Sequence, residues 1–154
     1  MCSAALLPSG DAPAPPRTDP SAPTRTRSLR ARVVSMGDRI ELGRRGEQLA
    51  ADYLTERGYR VIGRNWRCRE GEIDVIAEHG GETVFVEVKT RSSTDFGHPF
   101  EAITLGKMAR MRRLAAAWCE ASGAGTRRRI RIDAIAIIAP STGSPSIEHL
   151  QRLS

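Results

Sequence analysis

The sequence has few cysteines and no long apolar run, and both shortages exclude classes of protein. Its 154 residues include only Cys2, Cys68 and Cys119, which are single and far apart, so their spacing argues against a zinc site and more strongly against a disulfide framework. The longest apolar run, Ala134–Ala139, is far shorter than the roughly 20 residues that a membrane helix needs. We therefore expect a reduced, cytoplasmic protein with no membrane segment.

Residues 1–35 lack hydrophobic periodicity and are poor in acidic residues. They are rich in Pro, Ala, Ser and Arg, and Asp11 and Asp19 are the only acids among them. Such a composition cannot bury enough apolar surface to offset the entropy of ordering, so we predict a disordered leader. Its prolines argue against the amphipathic helix of a transit peptide. Met36 is a candidate for the true start, and residues 36–154 are expected to form a single α/β domain.

Basic residues are unevenly distributed along the chain. The five arginines and two aspartates of the leader carry half of the net charge of +6, so the excess on the remaining residues is small. Local basic clusters nevertheless suit a polyanionic partner. Ordinary solvated arginines are the alternative interpretation. The clusters comprise Arg64, Arg67 and Arg69, then Lys107, Arg110, Arg112 and Arg113, and finally residues 127–131.

Hydrophobic spacing predicts an α/β fold with the element order α-β-β-β-α-β. Leu42, Leu49 and Leu54 recur at helical spacing, and Gly58 suits the position just after a helix end. The strands before the second helix are expected to pair antiparallel, and the strand after it to lie parallel to its neighbour. The predicted elements are a helix at 40–57, strands at 59–65, 73–78 and 82–90, a helix at 105–121, a strand at 131–139 and a short edge strand at 147–150.

Charged residues lie within two otherwise apolar segments, "GEIDVIAEH" and "ETVFVEVKT", that flank a Gly-Gly pair at 80–81. Such a pair between alternating apolar runs predicts a β-hairpin. In a two-residue turn, Asp74 lies across from Glu87 and Glu72 across from Lys89, with opposed Cβ atoms roughly 4.5–5.5 Å apart. Alternation predicts one face with Glu72, Asp74, Phe85, Glu87 and Lys89, and the other with Ile73, Val75, Val84, Val86 and Val88.

Two facing carboxylates raise a problem that a bound cation would solve. Asp74 and Glu87 would repel each other, and buried charges are costly unless they are paired or bind a metal. Their oxygen ligands suit Mg²⁺ or Mn²⁺, and such a metal can activate water and stabilise charge on a phosphate under attack. Lys89 could orient or deprotonate that water, or stabilise the transition-state charge. The alternative is a cross-strand salt-bridge cluster on an exposed face, with Glu72 and Lys89 as one pair.

Residues 43–99 carry motifs that resemble those of the YraN family of uncharacterised bacterial proteins. The motifs are "GRRGEQ" on the first helix and "GEID" and "FVEVKTR" on the hairpin, and the likeness continues through "AITLGKMARMRRLAAAWC", "RIDAIAII" and "IEHL". The family looks like the restriction-endonuclease-like superfamily and is similar to archaeal Holliday-junction resolvases. The resemblance implies a restriction-endonuclease-like, three-layer α/β/α core with a mixed central sheet, in a single nuclease-like domain.

The same resemblance implies a role for each matching position. Asp74 and Glu87 correspond to the metal-binding acids and Lys89 to the catalytic lysine, and Glu47 matches the helix acid that completes the site in resolvases. Asp74, Glu87 and Glu47 would hold Mg²⁺ or Mn²⁺. Ile73 stands where the superfamily often has proline, which is normal for YraN proteins. Basic residues are expected to hold the nucleic-acid backbone around this site, namely Arg44, Arg67, Arg91, Lys107 and Arg110.

The leading hypothesis is a metal-dependent DNA endonuclease that hydrolyses phosphodiester bonds, with junctions or flaps as candidate substrates. A two-fold homodimer is expected if the protein resolves branched DNA, because two strands must then be cut symmetrically. One alternative is a non-catalytic nucleic-acid-binding or scaffold protein that retains the nuclease fold, and another is a protein–protein adaptor. Asp133, Tyr59 and Trp66 are interpreted as structural residues.

Overall fold

A computed structural model describes residues 35–95, 97–123 and 128–153, so the predicted leader, apart from Ser35, lies outside the described residues. In chain order the elements are helix α1 (Met36–Glu56), strands β1 (Arg60–Cys68), β2 (Gly71–His79) and β3 (Glu82–Arg91), a 3₁₀ helix (Pro99–Ala102), helix α2 (Leu105–Ala121), and strands β4 (Arg129–Ile138) and β5 (Ser146–Leu150). This order confirms the predicted arrangement, including the short edge strand. No helix in the described part of the chain is long and apolar enough to cross a membrane.

The strands form one mixed sheet in the order β1-β2-β3-β4-β5. As predicted, the first three strands pair antiparallel and β3 pairs parallel with β4, while β5 returns antiparallel to β4. The hairpin register is the one derived from the Gly-Gly turn, with pairs from Val75↔Val86 to His79↔Glu82. Both turn glycines have positive φ angles, 58° and 78°, which only glycine adopts readily.

Each face of the sheet is covered by one helix. Leu54 of α1 is fully buried in a cluster with Val86 of β3, whereas Met111 of α2 lies in a second cluster with Phe85 of the same strand. Successive side chains of a strand point to opposite faces, so the two clusters lie on opposite sides of the sheet. Full burial of each such side chain contributes about 1.5–3 kcal/mol. The protein therefore has three layers, α/β/α, as expected.

Local hydrogen bonds define where the helices begin and end. The Ser35 hydroxyl caps α1 by accepting from the N–H of Asp38, and the Asp38 carboxylate accepts in turn from the Ser35 N–H. The Thr104 hydroxyl caps α2 by accepting from the N–H of Lys107 at 3.2 Å. Gly58 follows the end of α1 with a φ of 81°, as predicted for a residue just past a helix. The cap at Thr104 fixes the first turn of α2, which carries Lys107.

The side chains of β2 change faces at Asp74. Ile73 belongs to the α2-side cluster together with Ile76, whereas Val75 belongs to the α1-side cluster. The prediction that Ile73 and Val75 share a face is therefore wrong. The neighbouring strand has a matching break, because Asn65, which lies between the partners of Ile73 and Val75, has a φ of 50°. The regular ladder is thus interrupted at the residue that carries the first predicted acid.

A second group of charged side chains is buried near the start of β4. Asp133 is fully buried and accepts from Arg131 Nε and Nη2 at 3.0 and 2.9 Å and from the Arg152 backbone N–H at 3.0 Å. His149 Nε2 lies 2.9 Å from the same carboxylate. We call the whole group the Asp133 network, which comprises Tyr59, Glu82, Arg131, Asp133, His149 and Arg152. These contacts agree with the interpretation of Asp133 as structural.

Candidate functional site

A cleft of about 390 Å³ is lined by residues of α1, β2, β3 and α2. It brings together the four residues that the sequence predicts to be catalytic, which are Glu47, Asp74, Glu87 and Lys89. Other side chains around it include Arg39, Glu72, Lys107 and Arg110. The predicted residues therefore converge in a concave site and do not spread over an open surface.

Asp74 is partly buried at the break in β2. Its Oδ2 accepts a hydrogen bond from the N–H of Val88 at 2.7 Å, so the side chain supplies an acceptor beyond the last regular pair, Val75↔Val86. The regular cross-strand pairing predicted for Asp74 and Glu87 is therefore not formed. Burial, together with the nearby charge of Glu87, raises the pKa of Asp74 to about 7.

Glu87 is buried, at 6% exposure, and is held by two lysines. Its Oε1 lies 3.0 Å from Lys89 Nζ and 2.5 Å from Lys107 Nζ. The predicted pair of Glu72 with Lys89 is therefore wrong, and Glu72 instead forms an exposed pair with Arg67 at 3.0 Å. Lys89 lies near Glu87 because the two residues are two positions apart on β3. Lys107 reaches Glu87 from the capped first turn of α2.

The two lysines on Glu87 differ in acidity. Burial lowers the pKa of Lys107 below its ordinary value, and the neighbouring positive charge of Lys89 adds to this effect. Burial also acts to lower the pKa of Lys89, but the charges of Glu87 and Asp74 and the hydrogen bonds to Glu87 and Lys107 together outweigh burial, so the pKa of Lys89 is raised overall. Lys89 is therefore the more firmly protonated member of the pair.

A glycine sets the position of Glu47. Gly46 is buried where α1 crosses β3, and a Cβ at this residue would overlap the Thr90 side chain. The absence of a side chain lets the helix backbone approach the strand closely. Glu47 consequently reaches the wall of the cleft, close enough for its charge to contribute to the raised pKa of Asp74. The "GE" pair of the first helix thus combines a packing residue with a cleft residue.

The carboxylates of the cleft fit a hard divalent cation in donor chemistry, because Mg²⁺ and Mn²⁺ prefer oxygen ligands. Within the described ranges, no three acidic, histidine or cysteine side chains form a group that could hold a metal ion as they stand. Glu87 Oε1 is engaged by the two lysines, and Glu47 influences Asp74 only through its charge. A metal held by Glu47, Asp74 and Glu87 would therefore require these side chains to draw together.

The residues predicted to bind nucleic acid are unevenly placed around the cleft. Lys107 and Arg110 line it. Arg44 and Arg67 are exposed outside its lining, and Arg91 is half-buried at the end of β3. Two of the five predicted residues therefore line the cleft, and Lys107 also forms an ion pair with Glu87 there.

Sequence reasoning missed Arg39 as a cleft residue. Arg39, Gly43 and Glu47 all line the cleft and are spaced four residues apart, which places them on one face of α1. This spacing, counted back from Glu47, would have identified Arg39. The contact of Lys107 with Glu87 had no comparable local signal, because it joins a helix to a strand.

Comparisons with known proteins identify relatives. A family model described as "Uncharacterised protein family UPF0102" matches residues 46–137. The chain is 52% identical over 108 residues to a UPF0102 protein of Clavibacter michiganensis, and the match covers 70% of this chain and 91% of that protein. It is 54% identical over 115 residues to a UPF0102 protein of Leifsonia xyli, with 75% and 97% covered. A UPF0102 protein of Streptomyces griseus is 47% identical over 119 residues, with 77% and 100% covered. The chain therefore belongs to the UPF0102 family, which is the YraN family that its motifs resemble.

Proposed function

We propose that the chain is a metal-dependent endonuclease that hydrolyses phosphodiester bonds of DNA in this cleft. Asp74 and Glu87 serve as ligands of Mg²⁺ or Mn²⁺, Glu47 contributes a further acid, and Lys89 assists the attack of water. The observation that carries the proposal is the convergence of these four side chains, from three separate elements, in one cleft. Strongly perturbed ionisable groups in a cleft are typical of functional sites.

The charge balance of the cleft favours a cation beside Asp74. Burial and the charges of Glu87 and Glu47 keep Asp74 protonated up to a pH of about 7. A divalent cation would stabilise the ionised form of all three acids. When bound, such an ion supplies a Lewis acid and an activated water. The protein's part is then to hold the ion between the acids and to hold the phosphate beside it.

The two lysines suit the stabilisation of phosphate charge. Lys89 and Lys107 meet at one oxygen of Glu87, and an ammonium group has three donors, so each can also reach a second acceptor. Because the pKa of Lys89 is raised, this lysine stays protonated at neutral pH. Of the roles that the sequence left open for Lys89, stabilisation of the transition-state charge therefore fits better than deprotonation of water.

The choice of DNA as substrate rests on two observations. The motifs resemble those of proteins that are similar to Holliday-junction resolvases, and the cleft is bordered by the basic side chains of Arg39, Lys107 and Arg110. Positive charge of this kind binds a phosphate backbone without reading its sequence. The proposal thus favours recognition of DNA structure over DNA sequence.

A cleavage assay tests the proposal. End-labelled branched, nicked, flapped and single-stranded DNAs are incubated with Mg²⁺ or Mn²⁺ and with wild type, Asp74→Asn, Lys89→Ala or Glu120→Gln. Glu120 is an exposed acid near the far end of α2 and serves as the matched control. We expect wild type and the control to cut at least one of these DNAs, and the two cleft variants to lose about 100- to 1,000-fold in rate. Cleavage retained in Asp74→Asn would overturn the proposal.

A non-catalytic nucleic-acid-binding or scaffold protein is the second candidate. The observation that favours it is the engagement of Glu87 by two lysines, which neutralises this acid without a metal. This alternative predicts that wild type binds DNA in a salt-dependent manner but cuts none of the panel, and that Asp74→Asn binds as wild type does. The same panel, read by gel shift as well as by cleavage, separates the two candidates.

A further inference from the structure

The cleft continues into a second, shallower cavity near the turn between β1 and β2. This cavity has a volume of about 280 Å³ and shares Glu72 and Arg110 with the cleft. We call it the Arg110 groove, and its lining residues are Arg67, Cys68, Gly71, Glu72 and Arg110. Because two residues line both cavities, a chain lying in the cleft has a continuous path into the groove.

The β1–β2 turn holds Arg110 in a defined position. Its Nε donates to the carbonyl oxygen of Glu70 at 3.1 Å. The guanidinium lies over Gly71, where a Cβ would overlap it, and Gly71 has a φ of 143° that favours glycine. Among the described residues, no acceptor contacts the two terminal nitrogens of Arg110, which leaves them available to a ligand.

We propose that the Arg110 groove binds a phosphate of the cleaved nucleic-acid strand, next to the phosphate at which the strand is cut. This inference rests on the proposed function and adds a binding site to it. A guanidinium that is already oriented by a backbone carbonyl loses little freedom when it binds a phosphate, and its planar donors match phosphate oxygens.

Arg67 supplies a second positive charge in the groove. Its pair with Glu72, at 3.0 Å, is exposed on both sides, so exchange of the carboxylate for a phosphate oxygen costs little. The groove thus has two arginines against one glutamate, and its net charge favours an anion. The groove extends the contact with a single strand beyond the acids of the cleft.

Fluorescence anisotropy with a short fluorescein-labelled DNA of the class that wild type cleaves, in Ca²⁺ to prevent cutting, tests the inference. We expect Arg110→Ala to weaken binding about tenfold and to lower the slope of log affinity against log salt concentration by about one. Arg110→Lys keeps the charge but loses the planar donors, so it should also bind more weakly than wild type. Arg57→Ala, an exposed arginine at the end of α1 that lines neither cavity, is the control and should bind as wild type does.

Gly71→Ala tests whether the position of Arg110 matters and not only its charge. A methyl group at Gly71 would displace the guanidinium, so this variant should lose about as much affinity as Arg110→Ala. The double variant should lose no more than either single one, because both act through one contact. If thermal melting shows that Gly71→Ala does not fold, the comparison of Arg110→Lys with wild type and with Arg57→Ala still decides the question.

The position of the bound strand has an independent readout. Cys68 and Cys119 are both free, half-buried cysteines that pack against the α2-side core, but only Cys68 also lines the groove. DNA should therefore slow alkylation of Cys68 but not of Cys119 in wild type, as measured by peptide mass spectrometry. If Arg110→Ala binds DNA as wild type does and Cys68 is not protected, the groove inference is overturned while the proposed nuclease stands. If wild type neither binds nor cuts any DNA, both fall together.

Discussion

Asp74 and Asp133 are two aspartates of one sheet whose surroundings have opposite effects on their charge. Asp133 is fully buried, and burial alone would raise its pKa. The hydrogen bonds from His149, Arg131 and the Arg152 N–H, together with the charge of Arg131, outweigh burial and lower the pKa below its ordinary value. Burial and the neighbouring charge of Glu87 raise the pKa of Asp74 to about 7, although the hydrogen bond from the Val88 N–H acts to lower it. The protein balances the charge of Asp133 internally, whereas it balances that of Asp74 only in part, through Lys89.

This difference separates a structural acid from a candidate site acid. Arg131 and His149 complete the environment of Asp133, so a ligand has nothing to add there. At Asp74, an added positive charge would relieve both the burial and the repulsion from Glu87. Burial of an acid is therefore a weaker sign of function than an internal counter-charge that is too small to keep the acid ionised.

Removal of the two carboxylates should give the largest difference in stability between the two positions. Asp133→Ala leaves Arg131 buried without its main partner, so we expect a loss of about 3–5 kcal/mol in the free energy of unfolding. Asp74→Ala loses the hydrogen bond from Val88 but also removes a group that is costly to keep protonated at pH 7, so we expect no loss larger than about 1 kcal/mol. Urea denaturation at pH 7 measures both values. A loss for Asp74→Ala as large as that for Asp133→Ala would show that Asp74 too is primarily structural.

The two aspartates should also affect the pH dependence of stability in opposite directions. Between the ordinary pKa of 3.8 and the folded-state value of about 7, Asp74 keeps a proton in the folded protein but not in the unfolded chain. The free energy of unfolding should therefore fall as pH rises through this range, by up to about 1.4 kcal/mol per pH unit, and Asp74→Asn should lack this contribution. Asp133 acts in the opposite sense, since the stability it contributes is present above its ordinary pKa and is lost as the pH falls below it.

Urea midpoints of wild type and Asp74→Asn, compared at a series of pH values, measure this effect. The difference between the two proteins should grow from pH 4 to pH 7 and then level off. Parallel curves for the two proteins would mean that Asp74 titrates normally and that its burial is not coupled to Glu87.

Much of the fold could be predicted from local patterns. Helical spacing and Gly58 located α1, and the Gly-Gly turn gave the hairpin register down to Val75↔Val86. The order of helices and strands was predictable because each segment has a distinct hydrophobic period. Prediction failed at Ile73, since a local break at Asn65 and Asp74 moves this side chain to the other face.

The site was predictable only in part. The acids of β2 and β3 were found because charges in apolar strands are unusual, and the family motif added Glu47. The contact of Lys107 with Glu87 depends on tertiary packing, and the hydrogen bond from the Val88 N–H to Asp74 depends on an irregular β-ladder. The sequence has no local signal for either. The opposite pKa shifts of Asp74 and Asp133 could not be predicted either, because they depend on partners far away in the chain.

Binding of Mn²⁺ tests the central claim, that Asp74 and Glu87 form a cation site, most directly. Electron paramagnetic resonance counts free Mn²⁺ in titrations of wild type, Asp74→Asn and Glu120→Gln at pH 8, where Asp74 of wild type is ionised without help from a metal. The account predicts one saturable site in wild type and in Glu120→Gln, and its loss in Asp74→Asn. Equal binding by Asp74→Asn, or no saturable binding by wild type, would contradict the account and favour a protein that uses this fold without metal chemistry.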